Sequence, residues 1–301
     1  MQYNNFEQIV DRVKGRGRTP IMAVAAAADE HTLQAALHAR SQGVCDPILV
    51  GDEAQIQAIL LQLGESVDAS RVIQAADVVE AADKAVALVR DGRADFLMKG
   101  ALDTKVILKA VVNKETGLGT GKLMTHIAAF EIPTYHKLLV VTDGGMVPYP
   151  DLEQKAGIIR NAVEVERLWG IKNPKVGVVT CVEKVNPKMP ETVDARALRE
   201  MNERGEISGC VIEGPISYDC AMVKEIADIK GFDSPVAGDA DILIAPNIHV
   251  GNIMGKMLTC TAGAKMAGFI CGAKCHIVLT SRGSTAEEKF LSILMSAASA
   301  E

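Results

Sequence analysis

Aromatic residues are scarce in this chain: phenylalanine, tyrosine and tryptophan make up 4% of 301 residues, with one tryptophan. A core with so few rings must be filled by aliphatic side chains. The 26 glycines and the many alanines favour helices layered closely on a sheet. No run of about 18 apolar residues occurs, which excludes a membrane-spanning helix. The start, MQYNNFEQIVDRVKGRGRTP, has no apolar h-region, so no secretory leader is expected and the cytoplasm is the expected location. A long basic run is also missing, and 38 acidic against 32 basic residues give a net charge of −6. Nucleic acid is therefore not an expected partner. The seven cysteines (45, 181, 210, 220, 260, 271 and 275) are odd in number and scattered, the pattern of reduced, buried thiols. Cys271-Gly-Ala-Lys-Cys275-His276 lacks the C-x-x-C-H haem spacing, and no second ligand pair lies nearby, so no metal site is expected. There is no 20–50-residue repeat and no low-complexity linker.

What is present is alternation. Short apolar runs at 20–28, 46–51, 71–75, 94–100, 175–183, 209–215, 240–246 and 275–281 predict strands. Amphipathic stretches lie between them, the strongest at 152–170, and they predict helices that stop at glycines such as Gly43 and Gly64. MTHIAAFEI and KLLVVTDG add two more strand candidates. This βα rhythm predicts an α/β fold with mostly parallel sheets, in two lobes with a ligand cleft between them. The expected domains are 1–137 with 276–301, and 138–275.

TGLGTGKLMTH (116–126) fails the Walker A pattern, because Thr116 and Leu123 stand where Gly and Ser/Thr are required. It fails G-x-G-x-x-G as well, since Lys122 takes the place of the third glycine. It reads either as a surface turn or as a nest of amides for an anion. Lys99, Gly100 and Thr104 follow a predicted strand and open a helix, where ligands of parallel sheets bind. Asp219 and Asn252 stand after later strands, where each also reads as a helix N-cap. Near the end, TSRGSTAEEKF joins a strand to a helix. Ser284 and Glu287 have capping-box spacing, which leaves Ser281 and Arg282 unexplained. A hydroxyl and a guanidinium at a helix N-terminus suit phosphate.

VLTSRGSTAEEKFLSI resembles the C-terminal signature of the phosphate acetyl/butyryltransferases. ADFLMKGALDT, NKETGLGTGKLMTH, KVNPKMPETVDA, RGEISGCVIEGPISYDCA and ADILIAPNIHVGNIMGK agree in the same order along the chain, more closely with the butyryl than the acetyl enzymes. The resemblance implies a two-domain α/β fold like that of isocitrate and isopropylmalate dehydrogenases, in a homodimer or higher oligomer. It implies interconversion of acyl-CoA and inorganic phosphate with acyl phosphate and CoA. CoA is then a substrate or product, and no tightly bound cofactor or metal is implied. Ser281 would donate to the reacting centre and Arg282 would grip phosphate. Lys99, Gly100, Thr104, Thr120, Gly121 and Lys122 would line the phosphate or CoA region, with Asp219 and Asn252 as further contacts. Glu288, seven positions after Ser281, stands where some acetyltransferases carry an aspartate proposed as base. The chain departs from the family at Ser284, which replaces an acid, and at DGGMVP, where Val147 replaces a common Asn. Three alternatives remain: a phosphate acetyltransferase, a metal- and NAD-dependent dehydrogenase of related fold, and a non-catalytic binder of CoA or acyl phosphate.

Overall fold

The computed structural model describes residues 2–280 and 283–300. The elements run in the expected alternation: α1 (Phe6–Lys14), β1 (Ile21–Ala25), α2 (Glu30–Ser41), β2 (Asp46–Gly51), α3 (Glu53–Gln62), β3 (Val72–Gln74), α4 (Val78–Arg90), β4 (Phe96–Lys99) and α5 (Thr104–Val111). Next come β5 (Thr125–Glu131), β6 (Leu139–Thr142), α6 (Leu152–Leu168), β7 (Lys175–Thr180), α7 (Pro190–Glu203), β8 (Val211–Ser217), α8 (Tyr218–Met222), α9 (Lys224–Ile229), β9 (Ile242–Ile244) and α10 (Ile248–Cys260). The chain ends with β10 (Lys265–Cys271), β11 (Ile277–Val278) and α11 (Ala286–Ala298).

Two compact units divide it. The terminal unit is Glu7–Lys122 with Ala267–Glu301, and the central unit is Met1–Phe6 with Leu123–Met266. In the terminal unit the strands lie in the order β3-β2-β1-β4-β11-β10, parallel except for β10 against β11. Buried on both faces, these strands read as continuous apolar runs: Met22, Val24, Leu49, Leu97 and Ile277 are all inaccessible or nearly so. Helix α11 packs on α2 and β11. In the central unit the order is β5-β6-β9-β7-β8, with only β5 and β6 antiparallel. Its core gathers Phe130, Leu139, Ile216, Leu243 and Val236. Residues 2–6 belong here: Tyr3 Oη donates to Trp169 O at 2.8 Å, Leu138 N donates to Tyr3 O at 2.8 Å, and Phe6 N donates to Glu131 Oε2 at 2.7 Å.

Several boundaries differ from expectation for local reasons. The first strand stops at Ala25, because Ala26 adopts a positive φ of 54°. The 209–215 strand does not end at Glu213-Gly214-Pro215 but continues through it to Ser217. A register shift between Gly177 and Val179 on β7 accommodates that passage. The strand expected at 275–281 is only Ile277–Val278, and β10 and α1 were not foreseen. No helix among the described residues is long and apolar enough to cross a membrane.

Candidate functional site

Ser281 and Arg282 lie outside the described residues. The helix start beside them differs from the expected capping box. Thr285, not Ser284, is the N-cap of α11, and its Oγ1 accepts from Glu288 N at 3.1 Å. Ser284 Oγ donates instead to Glu288 Oε1 at 2.8 Å, which fixes that carboxylate at the first turn. The S-x-x-E pair at 284 and 287 is thus displaced by one residue in favour of T-x-x-E.

Lys99 ends β4, half-buried, and its Nζ donates to Leu102 O at 3.1 Å and Gly100 O at 3.3 Å, which folds the ammonium over the following turn. Gly100 is buried against the end of β1. A Cβ there would lie 2.7 Å from Ala25 O and closer still to Ala26 O, so packing alone demands glycine. Thr104 is exposed at the first position of α5. Asp103 occupies the N-cap position without a side-chain cap bond. Thr120, Gly121 and Lys122 are exposed. Their turn is nevertheless anchored, since Thr120 Oγ1 donates to Gly272 O at 2.5 Å, Lys274 N donates to Leu118 O at 2.9 Å, and Gly119 bridges Ala273. Gly121 takes a φ of 81°, a conformation that favours glycine. The same anchoring segment holds Cys275 and His276. Burial pushes the Cys275 thiol up to about 12 and His276 down to about 4, so both are uncharged at neutral pH.

In the central unit neither expected N-cap acts as one. Ser217 is the N-cap of α8, and Asp219 lies inside that helix. Asn247 caps α10 by accepting from Val250 N at 3.1 Å. Asp219 belongs to a polar group. Ser217 Oγ donates to its Oδ1 at 2.5 Å, and Lys230 Nζ sits 2.9 Å from its Oδ2 and 2.8 Å from Glu183 Oε1. The Ser217 and Lys230 hydrogen bonds hold the Asp219 carboxyl down at about 2. Glu183, Asp219 and Cys220 are close enough to share a cation, but the Lys230 ammonium already bonds both carboxylates.

Asn252 meets residues that the sequence did not single out. Its Nδ2 donates to Gly144 O at 3.2 Å. Beside it, a Cβ on Gly251 would fall 2.6 Å from Asp143 O, so α10 lies directly on the turn after β6. Buried Asp143 organises that turn: Oδ1 accepts from Gly145 N (2.7 Å) and Met146 N (2.8 Å), and Oδ2 accepts from His126 N (3.0 Å). Thr142 Oγ1 returns a bond to His126 O at 2.8 Å. The His126 ring lies against Gly145, where a Cβ would be 3.1 Å from Cγ, and its Nδ1 is buried with no partner among the described residues. Burial lowers the His126 pKa, against the opposing pull of Asp143, so the imidazole is neutral. This group stands at the carboxyl ends of the parallel strands β6 and β9, where open α/β sheets bind ligands. Asn252, the motif ending at His126 and the departure at DGGMVP were separate sequence signals; the pairing of β5 with β6 that brings them together has no local signature.

Residues 73–297 match the family model described as "Phosphate acetyl/butaryl transferase". The chain is 44% identical to phosphate butyryltransferase of Clostridium acetobutylicum over 97% of both chains. It is 42% identical to phosphate acetyltransferase of Thermotoga maritima, over 97% of this chain and 98% of that one. Among solved structures, a branched-chain phosphotransacylase from Enterococcus faecalis V583 superposes with a TM-score of 0.82 at 30% identity, covering 93% of this chain and 99% of that one. The ordered motifs, the α/β fold and the near full-length similarity converge: the chain belongs to the phosphate acetyl/butyryltransferase family.

Proposed function

We propose that this protein is a phosphate butyryltransferase, interconverting butyryl-CoA and inorganic phosphate with butyryl phosphate and CoA. The observation that carries the reading is the near full-length similarity to a phosphate butyryltransferase. A phosphate oxygen attacks the thioester carbonyl, a tetrahedral oxyanion forms, and it collapses to expel the CoA thiolate, which takes up a proton. No enzyme nucleophile is needed, because both partners are competent once positioned. In this reading Ser281 donates to the reacting centre and Arg282 holds phosphate. Glu288, fixed by Ser284, manages the thiol proton. Lys99, Thr104, Thr120, Gly121 and Lys122 line the phosphate or CoA region, with Gly100 shaping the backbone there and Asp219 and Asn252 as further substrate contacts. The dehydrogenase-like domain plan, a homo-oligomeric state and a cytoplasmic location are part of the same proposal. The acetyl reading has its own support in the similarity to a phosphate acetyltransferase.

Thiol release from acetyl-, propionyl-, butyryl- and isobutyryl-CoA, with and without phosphate, tests both. The expected result is phosphate-dependent release with the highest kcat/KM for the four-carbon thioesters. A clear acetyl preference would establish the alternative, and release independent of phosphate would remove both.

A further inference from the structure

The turn after β6 is held on three sides although Gly145 itself is exposed. Asp143 binds it from within, Asn252 and Gly251 of α10 close one flank, and the His126 ring closes the other. Burying an unpaired imidazole nitrogen costs stability, so its presence calls for a reason. A neutral imidazole carries one N–H donor and one bare nitrogen. A proton on Nδ1 would bury an unpaired donor, which is rarer and costlier than an under-used acceptor. This burial favours the tautomer with its proton on Nε2. Residue 126 retains some solvent exposure, and Nδ1 contributes none of it.

We propose that His126 is a catalytic residue whose neutral imidazole donates its Nε2–H to the acyl carbonyl oxygen, polarising it in the thioester and stabilising it as an oxyanion. The assignment rests on the acyltransfer reading above. An uncharged ring kept neutral by its surroundings can polarise a carbonyl without adding a proton to be lost again. A neutral carbonyl fits this position better than phosphate does, because the buried Asp143 carboxylate beside the ring disfavours a dianion. Asp143 and Gly145 are the positioning residues. Asp143 fixes the His126 backbone, and the missing Cβ at Gly145 leaves room for the ring plane.

The test combines kinetics with a spectroscopic readout on the unaltered enzyme. His126→Phe is expected to lower kcat by about 100- to 1,000-fold, the usual loss of one oxyanion donor, with CoA affinity retained. His126→Gln, which restores an N–H near Nε2, is expected to recover part of that loss. Nitrogen-15 NMR of labelled histidines in the wild type is expected to show the Nε2–H tautomer for His126, with its Nε2 signal moving when acyl phosphate is added. Full activity in His126→Phe, or an Nδ1–H tautomer in the wild type, overturns this assignment alone. A wild type that releases no thiol from any acyl-CoA overturns the acyltransfer reading and this assignment with it. If His126→Phe does not fold, the tautomer and the ligand-induced shift decide.

Discussion

Glu166 shows how one side chain can set the pH response of stability. It is buried on α6 at 2% exposure, and its Oε2 has no partner among the described residues. Burial, reinforced by Asp241 and opposed by Lys137, raises its pKa well above the ordinary value. Lys137, itself buried, is already bonded to Asp241 at 2.6 Å and Asp239 at 2.8 Å, so its charge is shared. The unfolded chain ionises Glu166 above about pH 4.5, whereas the folded chain keeps it protonated. Stability tied to this group is therefore complete at low pH and lost as pH rises from about 4.5 through the raised folded value. Glu166→Gln keeps the shape and removes the titration. It is expected to flatten the fall in Tm between pH 5 and 8.5, measured by calorimetry on both proteins. An unchanged slope would show that the folded chain does not hold Glu166 protonated in that range.

At the scale of elements, the sequence told most where the periodicity was long or the turn chemistry local. Helix α6, and the glycine stops after α2 and α3, could be read directly. Helix α10 was expected to open at Gly251-Asn252 but starts at Ile248, because the better cap, Asn247, comes earlier. Strand β10 was missed: Lys265–Cys271 has a glycine and too short an apolar run to stand out before its partner is known. The candidate site divides in the same way. Lys99 was singled out at a strand end and Glu288 through the family resemblance, while the contact of His126 with Asp143 was not legible, since strand pairing joins positions 17 apart that lie in separate motifs. Gly100 was read as a ligand-facing glycine, and its immediate role is packing against β1. Gly100→Ala is expected to cost about 1–3 kcal/mol in chemical denaturation through overpacking. Gly119→Ala, with open space around its Cβ position, should stay within about 0.5 kcal/mol of wild type. Equal effects at both sites would refute the packing account.

For the whole molecule, composition set the class and topology set the detail. Few rings and many small residues fit sheets with helices packed against them, and the parallel pairing of β1, β2, β3 and β4 follows from the βα rhythm. Self-association is expected from the family resemblance. Light scattering should give at least twice the 32.0 kDa chain mass, and the mass of one chain would refute that expectation. The division into units also bears on protein engineering. Because Tyr3 and Phe6 tie residues 2–6 to Trp169, Leu138 and Glu131, an affinity tag fused directly ahead of Tyr3 would abut a folded surface. Anyone excising residues 123–266 for separate expression would need to graft that N-terminal strap back on, for example by circular permutation, or accept a fragment with an open seam.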